Sequence, residues 1–302
     1  MSEKRRVLKA AGTVGAWTMA SRVLGYVRNA IIAAFFGAGL ETDAFIAAFR
    51  IPNLLRRLFG EGSLTASFVP VYTDVRTNQG EERSRELFGA AFTAVLLIVS
   101  VLTVLGIVFA HKVVAVLAPG FGDDPAKEEL TVFLLRLMFP YAVAICLVAL
   151  FMGVQNARGF FFAPAFAPVL LNVSIIFSAV FLAGRFDLPV TALAVGVLVG
   201  GVLQFALQWP YLKKLGHRLR LRFDFKDRDL RRVGYLMLPS LIGLSVYSLN
   251  VFLNTIFASL LVPGAVSYLF YADQLMELPQ GVFAIAVGTA LLPSLSGTGG
   301  AR

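Results

Sequence analysis

The sequence has few of the side chains that soluble enzymes use for chemistry. It contains one cysteine, Cys146, and two histidines, His111 and His217. One cysteine excludes a disulfide within the chain, and the sequence has no Cys/His cluster with metal-ligand spacing, so we expect no metal site. Both histidines fall at predicted helix ends, which argues against a buried histidine relay. No nucleotide-binding loop or Ser/His/Asp set is present, so we expect neither an enzyme nor a cofactor.

Charge is also scarce. Charged residues make up 15% of the 302 residues and hydrophobic residues 58%, with a mean hydropathy of +0.77. Globular domains carry roughly 25% charged residues. This composition, with its long uncharged runs, predicts an all-α polytopic membrane protein. The net charge of +9 does not indicate a nucleic-acid partner, because the basic residues fall in loops between apolar runs.

The hydropathy pattern predicts about eight transmembrane helices, each of roughly 20 residues. The predicted spans cover about 12–36, 40–60, 86–110, 130–154, 163–184, 189–211, 233–261 and 265–293. Residues 62–75 are too short and polar to cross, so we expect a re-entrant or interfacial piece there. The basic N-terminus leads into the first span without a small-residue cleavage site, which indicates an uncleaved span and not a signal peptide.

The loop charges predict the orientation. With the N-terminus in the cytoplasm, the outside loops hold only Lys112, Lys127 and Arg185, and the other loop lysines and arginines lie inside. The longest polar connection, residues 213–232, separates a first lobe (1–212) from the start of a second (233–302). Its basic residues fit a topology determinant beside anionic lipid head groups better than a substrate-binding role.

The second span carries a polar stripe. Asp43, Arg50 and Arg57 are spaced by seven, so they lie about 20° from one another around a helix, and Asn53 lies beside them. Pro52 removes one backbone hydrogen bond and is expected to kink the helix. The stripe predicts a polar cavity that handles an anionic substrate.

The depth of each charge decides between a cavity and the membrane interface. A charged side chain at the bilayer centre costs about 2.5–3.5 kcal/mol on insertion scales. This favours a cavity for Arg50, which lies deeper in the span. Arg56, Arg57 and Glu61 also fit the inner interface, where the arginines would extend to lipid phosphates; for both arginines the two interpretations are equally supported.

Two other spans carry charges. Arg22 and Arg28 in the first span are roughly 120° apart around an ideal helix, so they face one cavity only if the helix bends or unwinds near Gly25. In the eighth span Asp273 and Glu277 share one face. They are expected to pair with the arginines, either as a structural network or as a gate, whereas proton or cation coupling has weaker support.

Several segments together resemble the MurJ/MviN family over essentially the whole chain. They are SRVLGYVRNA (21–30), TDAFIAAFRIPNLLRRLFGEGSLTASFVPVY (42–72), PAFAPVLLN (164–172), GGVLQFALQWPYLKKLG (200–216), NTIFAS (254–259) and VSYLFYADQLMELPQGVFAIAVGTALLPSLS (266–296). The resemblance implies a two-lobed, MATE-like fold that flips lipid II across the bacterial inner membrane by alternating access. The family's cavity positions fall on Arg22, Arg28, Asp43, Arg56 and Arg57, with Asp273 and Glu277 in the eighth helix.

Three departures from the family pattern stand out. The chain has Asn29 where the family has an acidic residue and Gln274 where it has an arginine; we group both with Glu61, Asp273 and Glu277 as gate or coupling positions. The family has fourteen helices, whereas this chain stops after the eighth, so we expect a first lobe and the start of a second.

The expected partners are lipid II, the bilayer and other cell-wall synthesis proteins. Two alternatives stay open. One is an exporter of another lipid-linked oligosaccharide or a small molecule on the same fold. The other, if the chain is complete, is a non-transporting membrane scaffold.

Overall fold

All of the regular secondary structure in the part of the chain that the structure describes is helical. The computed structural model describes residues 3–276, apart from the side chains of residues 3–11, 59–62 and 247. The α-helices are α1 (Glu3–Phe36), α2 (Leu40–Leu55), α3 (Leu64–Gln79), α4 (Glu81–Val108), α5 (Ala110–Leu117), α6 (Pro125–Met138), α7 (Pro140–Ala157), α8 (Phe162–Phe181), α9 (Thr191–Lys214), α10 (Arg228–Ser259) and α11 (265–276). A π-helical segment, Arg56–Ser63, joins α2 to α3. The all-α prediction is confirmed.

Five helical stretches are long and apolar enough to cross a membrane, among residues 3–276. They are Glu81–Val108, Pro125–Ala157, Phe162–Phe181, Thr191–Lys214 and Arg228–Ser259. Each corresponds to a predicted span. Helix α1 is long enough at 34 residues, but it is less apolar because it carries Arg22 and Arg28 within its length. The chain is therefore a multi-pass membrane protein.

The prediction of a re-entrant piece at residues 62–75 is wrong, whereas the interfacial alternative stays a prediction. Leu40–Gln79 is continuously helical, and at 1.5 Å per residue it is about 60 Å long. Leu64, Phe68 and Tyr72 are buried where α3 packs against α7, α4 and α10. Ser67 donates a hydrogen bond to the carbonyl of Ser63 at 2.6 Å. This polar side chain is thus satisfied inside the helix and does not require water.

The predicted fourth span is divided at a proline. Helix α6 ends at Met138 and α7 begins at Pro140, whose ring nitrogen has no N–H to donate. Helix α6 also starts earlier than the predicted fourth span, at Pro125. The Asp124 carboxylate caps α6 by accepting hydrogen bonds from the backbone N–H groups of Ala126 and Lys127. Lys127 therefore lies in the first turn of α6 and not in a loose loop.

Glycines allow α8 and α9 to pack closely. A Cβ atom on Gly196 would lie 2.8 Å from the Cα of Ile175, and one on Gly200 would lie 2.7 Å from the Leu171 side chain. Close packing at small residues is the usual way in which membrane helices associate. Helix α1 packs on α8, and α10 packs on α3 and the π-helical segment. This arrangement brings polar side chains of α1 into contact with α8 and α11, and a polar side chain of α2 into contact with α10.

Candidate functional site

Arg28 on α1 is held by amide side chains. Its Nη1 donates to Oδ1 of Asn172 at 2.9 Å, and its Nε and Nη2 donate to Oδ1 of Asn29 at 3.0 and 2.8 Å. Asn172, on α8, in turn donates to the backbone carbonyl of Ser21 at 2.9 Å. The guanidinium is thereby fixed between α1 and α8.

These contacts fix Arg28 without neutralising it. The hydrogen-bond partners that the described residues give Arg28 are neutral amide oxygens. Arg56 of the π-helical segment is close enough for the two positive charges to repel each other. In a membrane protein, a positive charge that is held by neutral groups is costly unless an anion or water faces it. The arrangement is therefore chemically suited to attract an anion.

Asn29 and Gln274, the two predicted gate or coupling positions that differ from the family pattern, meet in the structure. Nδ2 of Asn29 donates to Oε1 of Gln274 at 2.8 Å, which connects α1 to α11. Arg28, Asn29 and Gln274 thus form one chain of hydrogen bonds across two helices. A neutral amide pair joins the helices here.

A second group of polar residues lies between α2 and α10. A cavity of about 50 Å³ is lined by Arg50, Asn53, Leu54, Arg57, Ser248, Val251 and Phe252. Arg50 and Arg57 line the same cavity, as their seven-residue spacing predicts. Nη1 of Arg50 donates to the carbonyl of Val251 at 2.7 Å, and Nε of Arg56 donates to Oδ1 of Asn53 at 2.9 Å. A cavity of this size holds only a few waters, at about 10–15 Å³ each, so a saccharide head group does not fit until the helices separate.

Asp43 belongs to a different part of the molecule. Its side chain is 1% exposed and accepts hydrogen bonds from Lys127 Nζ, the backbone N–H groups of Gly264 and Ser267, each at 2.8 Å, and from Ser267 Oγ at 2.6 Å. The Lys127 ammonium also lies 4.0 Å from the centre of the Phe121 ring. We call Asp43, Lys127, Gly264 and Ser267 the Asp43 cluster.

The Asp43 cluster joins the start of α2 to α6 and to the N-terminal end of α11. Seven residues, or about 10 Å of helix, separate Asp43 from Arg50. The structure therefore does not bring Asp43 together with the arginines, although all were predicted to lie at one site. Its contacts suit the closing of one end of the molecule.

The remaining predicted residues are distributed as follows. Arg22 is exposed on α1, which is an uninterrupted helix through Gly25. Asp273 is exposed and forms no ion pair with an arginine within residues 3–276, so the expected pairing is not found for it. Glu277 lies outside the described residues. Glu61 has its backbone in the π-helical segment, and its side chain is outside the described part.

Sequence reasoning missed three residues: Asn172, Lys127 and Ser267. Asn172 was part of a segment quoted for the resemblance, and an amide in the otherwise apolar α8 is a signal that could have identified it. Lys127 was assigned to an outside loop, and Ser267 has no feature in the sequence that marks it. No group of three or more His, Cys, Asp or Glu side chains able to hold a metal lies within residues 3–276.

Comparisons with known proteins identify the family of this chain. The profile of the family described as "Lipid II flippase MurJ" matches residues 32–301. The chain is 44% identical over 294 residues to a Burkholderia cenocepacia protein described as "Lipid II flippase MurJ", a match that covers 96% of this chain and 57% of that protein. The chain therefore spans a little over half the length of this relative.

Two solved structures share the fold. One is described as lipid II flippase MurJ in an inward closed conformation, with a TM-score of 0.80, 27% identity and coverage of 94% of this chain and 58% of that one. The other is an outward-facing MATE family transporter of the MOP superfamily, with a TM-score of 0.68, 16% identity and coverage of 89% and 60%. The second match shows the fold alone.

Proposed function

This chain belongs to the lipid II flippase MurJ family, and from that premise we propose that the protein moves lipid II from the inner to the outer leaflet of the bacterial cytoplasmic membrane. One observation carries the proposal. Arg28 is held in place by neutral amides while it lies close to Arg56. The pyrophosphate of lipid II is the anion that this positive site would take.

Binding would combine charge and geometry. A guanidinium offers several N–H donors in one plane and matches phosphate oxygens bidentately. Arg28 and Arg56 receive the pyrophosphate, while Arg50, Arg57 and Asn53 contact the rest of the head group once the small cavity between α2 and α10 opens. Arg22 is exposed on α1 and guides the anion inward. The isoprenoid tail stays among the lipid chains.

Alternating access needs ends that open in turn. The Asp43 cluster closes one end, and we assign that end to the outside because the loop charges put the N-terminus and residues 213–232 in the cytoplasm. Release of the head group then requires Asp43 to leave Ser267 and Gly264. Helices α1–α9 form the first lobe, and α10 and α11 begin the second. Other cell-wall synthesis proteins are candidate partners through the shared substrate.

The test is complementation of a flippase-depleted bacterium by the protein expressed from its complete reading frame. Wild-type protein should restore growth, and Arg28→Ala should not. Arg28→Lys should rescue weakly, because lysine keeps the charge but cannot hold Asn172 and Asn29 together. Loss of a charged hydrogen bond is worth about 1.5–3 kcal/mol, or roughly 10- to 100-fold in affinity. Arg185→Ala, an exposed arginine outside the site, is the matched control.

The results separate the competing functions. Full rescue by Arg28→Ala would show that Arg28 is not required for substrate binding. If wild-type protein is present in the membrane but lipid II still accumulates in the inner leaflet, the substrate is a different lipid-linked oligosaccharide or a small molecule. Rescue by a variant locked closed through a cysteine pair across α2 and α11 would favour a non-transporting scaffold.

A further inference from the structure

The connection between α9 and α10 exposes three large apolar side chains. Leu221, Phe223 and Phe225 are 57%, 65% and 48% exposed. The rings of Phe223 and Phe225 lie 6.5 Å apart, so the two aromatic side chains form one patch. We call residues 218–226 the α9–α10 segment.

This segment lies against a membrane helix. The backbone N–H of Arg222 donates to Oγ1 of Thr93 on α4 at 2.8 Å, and a Cβ on Gly89 would lie 3.4 Å from the carbonyl oxygen of Arg220. Thr93 lies within about 40° of Leu97 and Val104 around α4. Those two side chains are exposed on a helix that is apolar enough to span a membrane. The segment therefore covers one end of the lipid-facing surface of α4.

The contact with Thr93 also sets the depth of the segment. The apolar run of α4 begins at Leu87. Thr93 lies six residues further along, or about 9 Å at 1.5 Å per residue. Thr93 therefore lies near the polar end of the apolar run, which places the segment close to the boundary between hydrocarbon and lipid head groups. Phenylalanine and leucine side chains exposed at this level face lipid rather than bulk water.

The charges around the patch match an anionic surface. Arg218, Arg220 and Lys226 are exposed beside it. Asp227 is engaged with Arg83 at 2.7 Å, and Arg222 with Glu86 at 3.0 Å. Residues 213–232 contain nine basic and three acidic residues. The side chains that remain exposed around the patch are therefore mostly positive.

We propose that the α9–α10 segment is a membrane-binding element. It inserts Leu221, Phe223 and Phe225 into the head-group region of an anionic leaflet, while Arg218, Arg220 and Lys226 bind lipid phosphates. The anchor would hold the junction between the two lobes at a fixed depth while the lobes move. This inference does not depend on which substrate the site transports.

Spin-label accessibility tests the insertion. The full-length protein, in a Cys146→Ala background, is reconstituted in bilayers of phosphatidylcholine with phosphatidylglycerol, and a nitroxide is attached at Phe223→Cys. The label at Gln79→Cys, on an exposed polar helix end, gives the water reference. The label at Val104→Cys, on the lipid-facing side of α4, gives the hydrocarbon reference. Collisions with oxygen and with a nickel chelate are measured at each position.

The three possible outcomes are distinct. We expect the oxygen-to-nickel collision ratio at residue 223 to be several-fold above that at residue 79 and below that at residue 104. A label as accessible to nickel as the one at residue 79 would overturn the proposal. A label shielded from both reagents would also overturn it, because the patch would then be covered by protein.

A second variant tests the role of the charges. Arg218→Gln, Arg220→Gln and Lys226→Gln are combined, which leaves the apolar patch and the contact with Thr93 unchanged. The collision ratio at residue 223 should fall toward the water reference when phosphatidylglycerol is present. In pure phosphatidylcholine, the same change should have little effect. An equal fall in both bilayers would show that lipid charge plays no part and would overturn that half of the proposal.

Discussion

At one end of the molecule a single buried carboxylate joins three helices, whereas at the other end several ion pairs with at least one partly exposed partner join α10 to α4 and α3. In the Asp43 cluster, Asp43 is 1% exposed and accepts four hydrogen bonds. At the opposite end Arg83 pairs with Asp227 and Asp229 at 2.7 and 2.9 Å, and Arg232 pairs with Asp74 at 2.6 Å. We call these ion pairs, including the one to Asp74 of α3, the α4–α10 network.

Burial gives the two ends different mechanical behaviour. Water cannot replace a lost partner of Asp43, so losing one contact leaves a buried group unpaired, which costs much free energy. In the α4–α10 network, Arg83, Asp74 and Arg232 are partly exposed, so water and salt can replace them as partners and small shifts change the energy less. The first arrangement suits a gate with two states. The second suits a junction that must stay connected while α10 tilts.

The largest expected effect is at Asp43. Asp43→Asn keeps the shape of the side chain but removes its charge and replaces one acceptor oxygen with a donor. Lys127 then remains buried without a counter-charge, and a backbone N–H of α11 loses its acceptor. Breaking a buried ion pair on one side costs about 3–5 kcal/mol. We expect a large fall in Tm in detergent micelles, measured by the fluorescence of a thiol-reactive dye or by light scattering.

A double variant separates charge from packing. Combining Asp43→Asn with Lys127→Met removes both charges and should recover part of the lost Tm. Ser267→Ala, which removes only the hydroxyl donor at 2.6 Å, should cost about 1 kcal/mol. If Asp43→Asn costs no more than Ser267→Ala, the difference between the two ends is not one of buried charge.

The next largest expected effect is a loss of stability at low pH, and it arises from His217, which follows α9. His217 follows α9, as its position in the sequence predicted, but it is buried and not at an open helix end. Its Nε2 lies 2.7 Å from the hydroxyl of Tyr72, and its ring packs edge-on against Phe88. Burial, with repulsion from Arg158 and Arg85, lowers the pKa of His217 to about 4 from 6.5.

This shift predicts acid sensitivity with a defined sign. Below pH 6.5 the unfolded chain gains a proton at His217 while the folded chain does not, so stability is present above 6.5 and is lost as pH falls toward about 4. A difference of this size corresponds to roughly 3 kcal/mol. Thermal melts between pH 7.5 and 4.5 should show it. His217→Gln, which keeps an acceptor for Tyr72, should flatten the pH profile; an unchanged profile would assign the acid loss to other groups.

The two ends of the molecule differ in how much of their structure could be predicted from the sequence. Long apolar runs predicted the helices, because span length follows from bilayer thickness. The spacing of Arg50 and Arg57 predicted their shared face, because helical periodicity is local. The re-entrant prediction for residues 62–75 was wrong, since counting polar residues ignores that Ser67 bonds to its own helix. Local pattern was informative wherever the determining contact was also local.

The contacts of the Asp43 cluster could not be predicted from the sequence, because they join residues that are far apart in the chain. Asp43 and Lys127 are 84 residues apart, and Lys127 follows an acidic stretch that looked like an outside loop. Asn172 reaches Arg28 across 144 residues. No periodicity connects such positions, and only the packing of α1 on α8 and of α2 on α6 brings them together. The exposed charges of the α4–α10 network were readable as basic loop residues, but their partners were not.

The smallest loss of stability should come from changes in the α4–α10 network. Within this network, the buried pair should contribute more than the exposed pair. The Asp227 carboxylate is 2% exposed and caps α10 by accepting hydrogen bonds from the backbone N–H groups of Asp229 and Leu230. Burial raises the pKa of Asp227. The N–H group of Leu230 and the guanidinium of Arg83 lower this pKa by more than burial raises it, so the net shift is downward. The stabilisation by this group is therefore lost only as pH falls through that lowered value.

Arg83→Gln and Arg232→Gln form a matched pair for the last prediction. Arg83→Gln should lower stability by about 1 kcal/mol, because Asp227 loses its charged partner but keeps its backbone donors. Arg232→Gln should lower it less, because Asp74 and Arg232 are both well exposed. Added salt should shrink the difference between wild type and each variant in Tm measurements. If either variant lowers Tm as much as Asp43→Asn in high salt, this end of the molecule is also held by buried charge, and it cannot serve as the compliant junction contrasted with the Asp43 cluster.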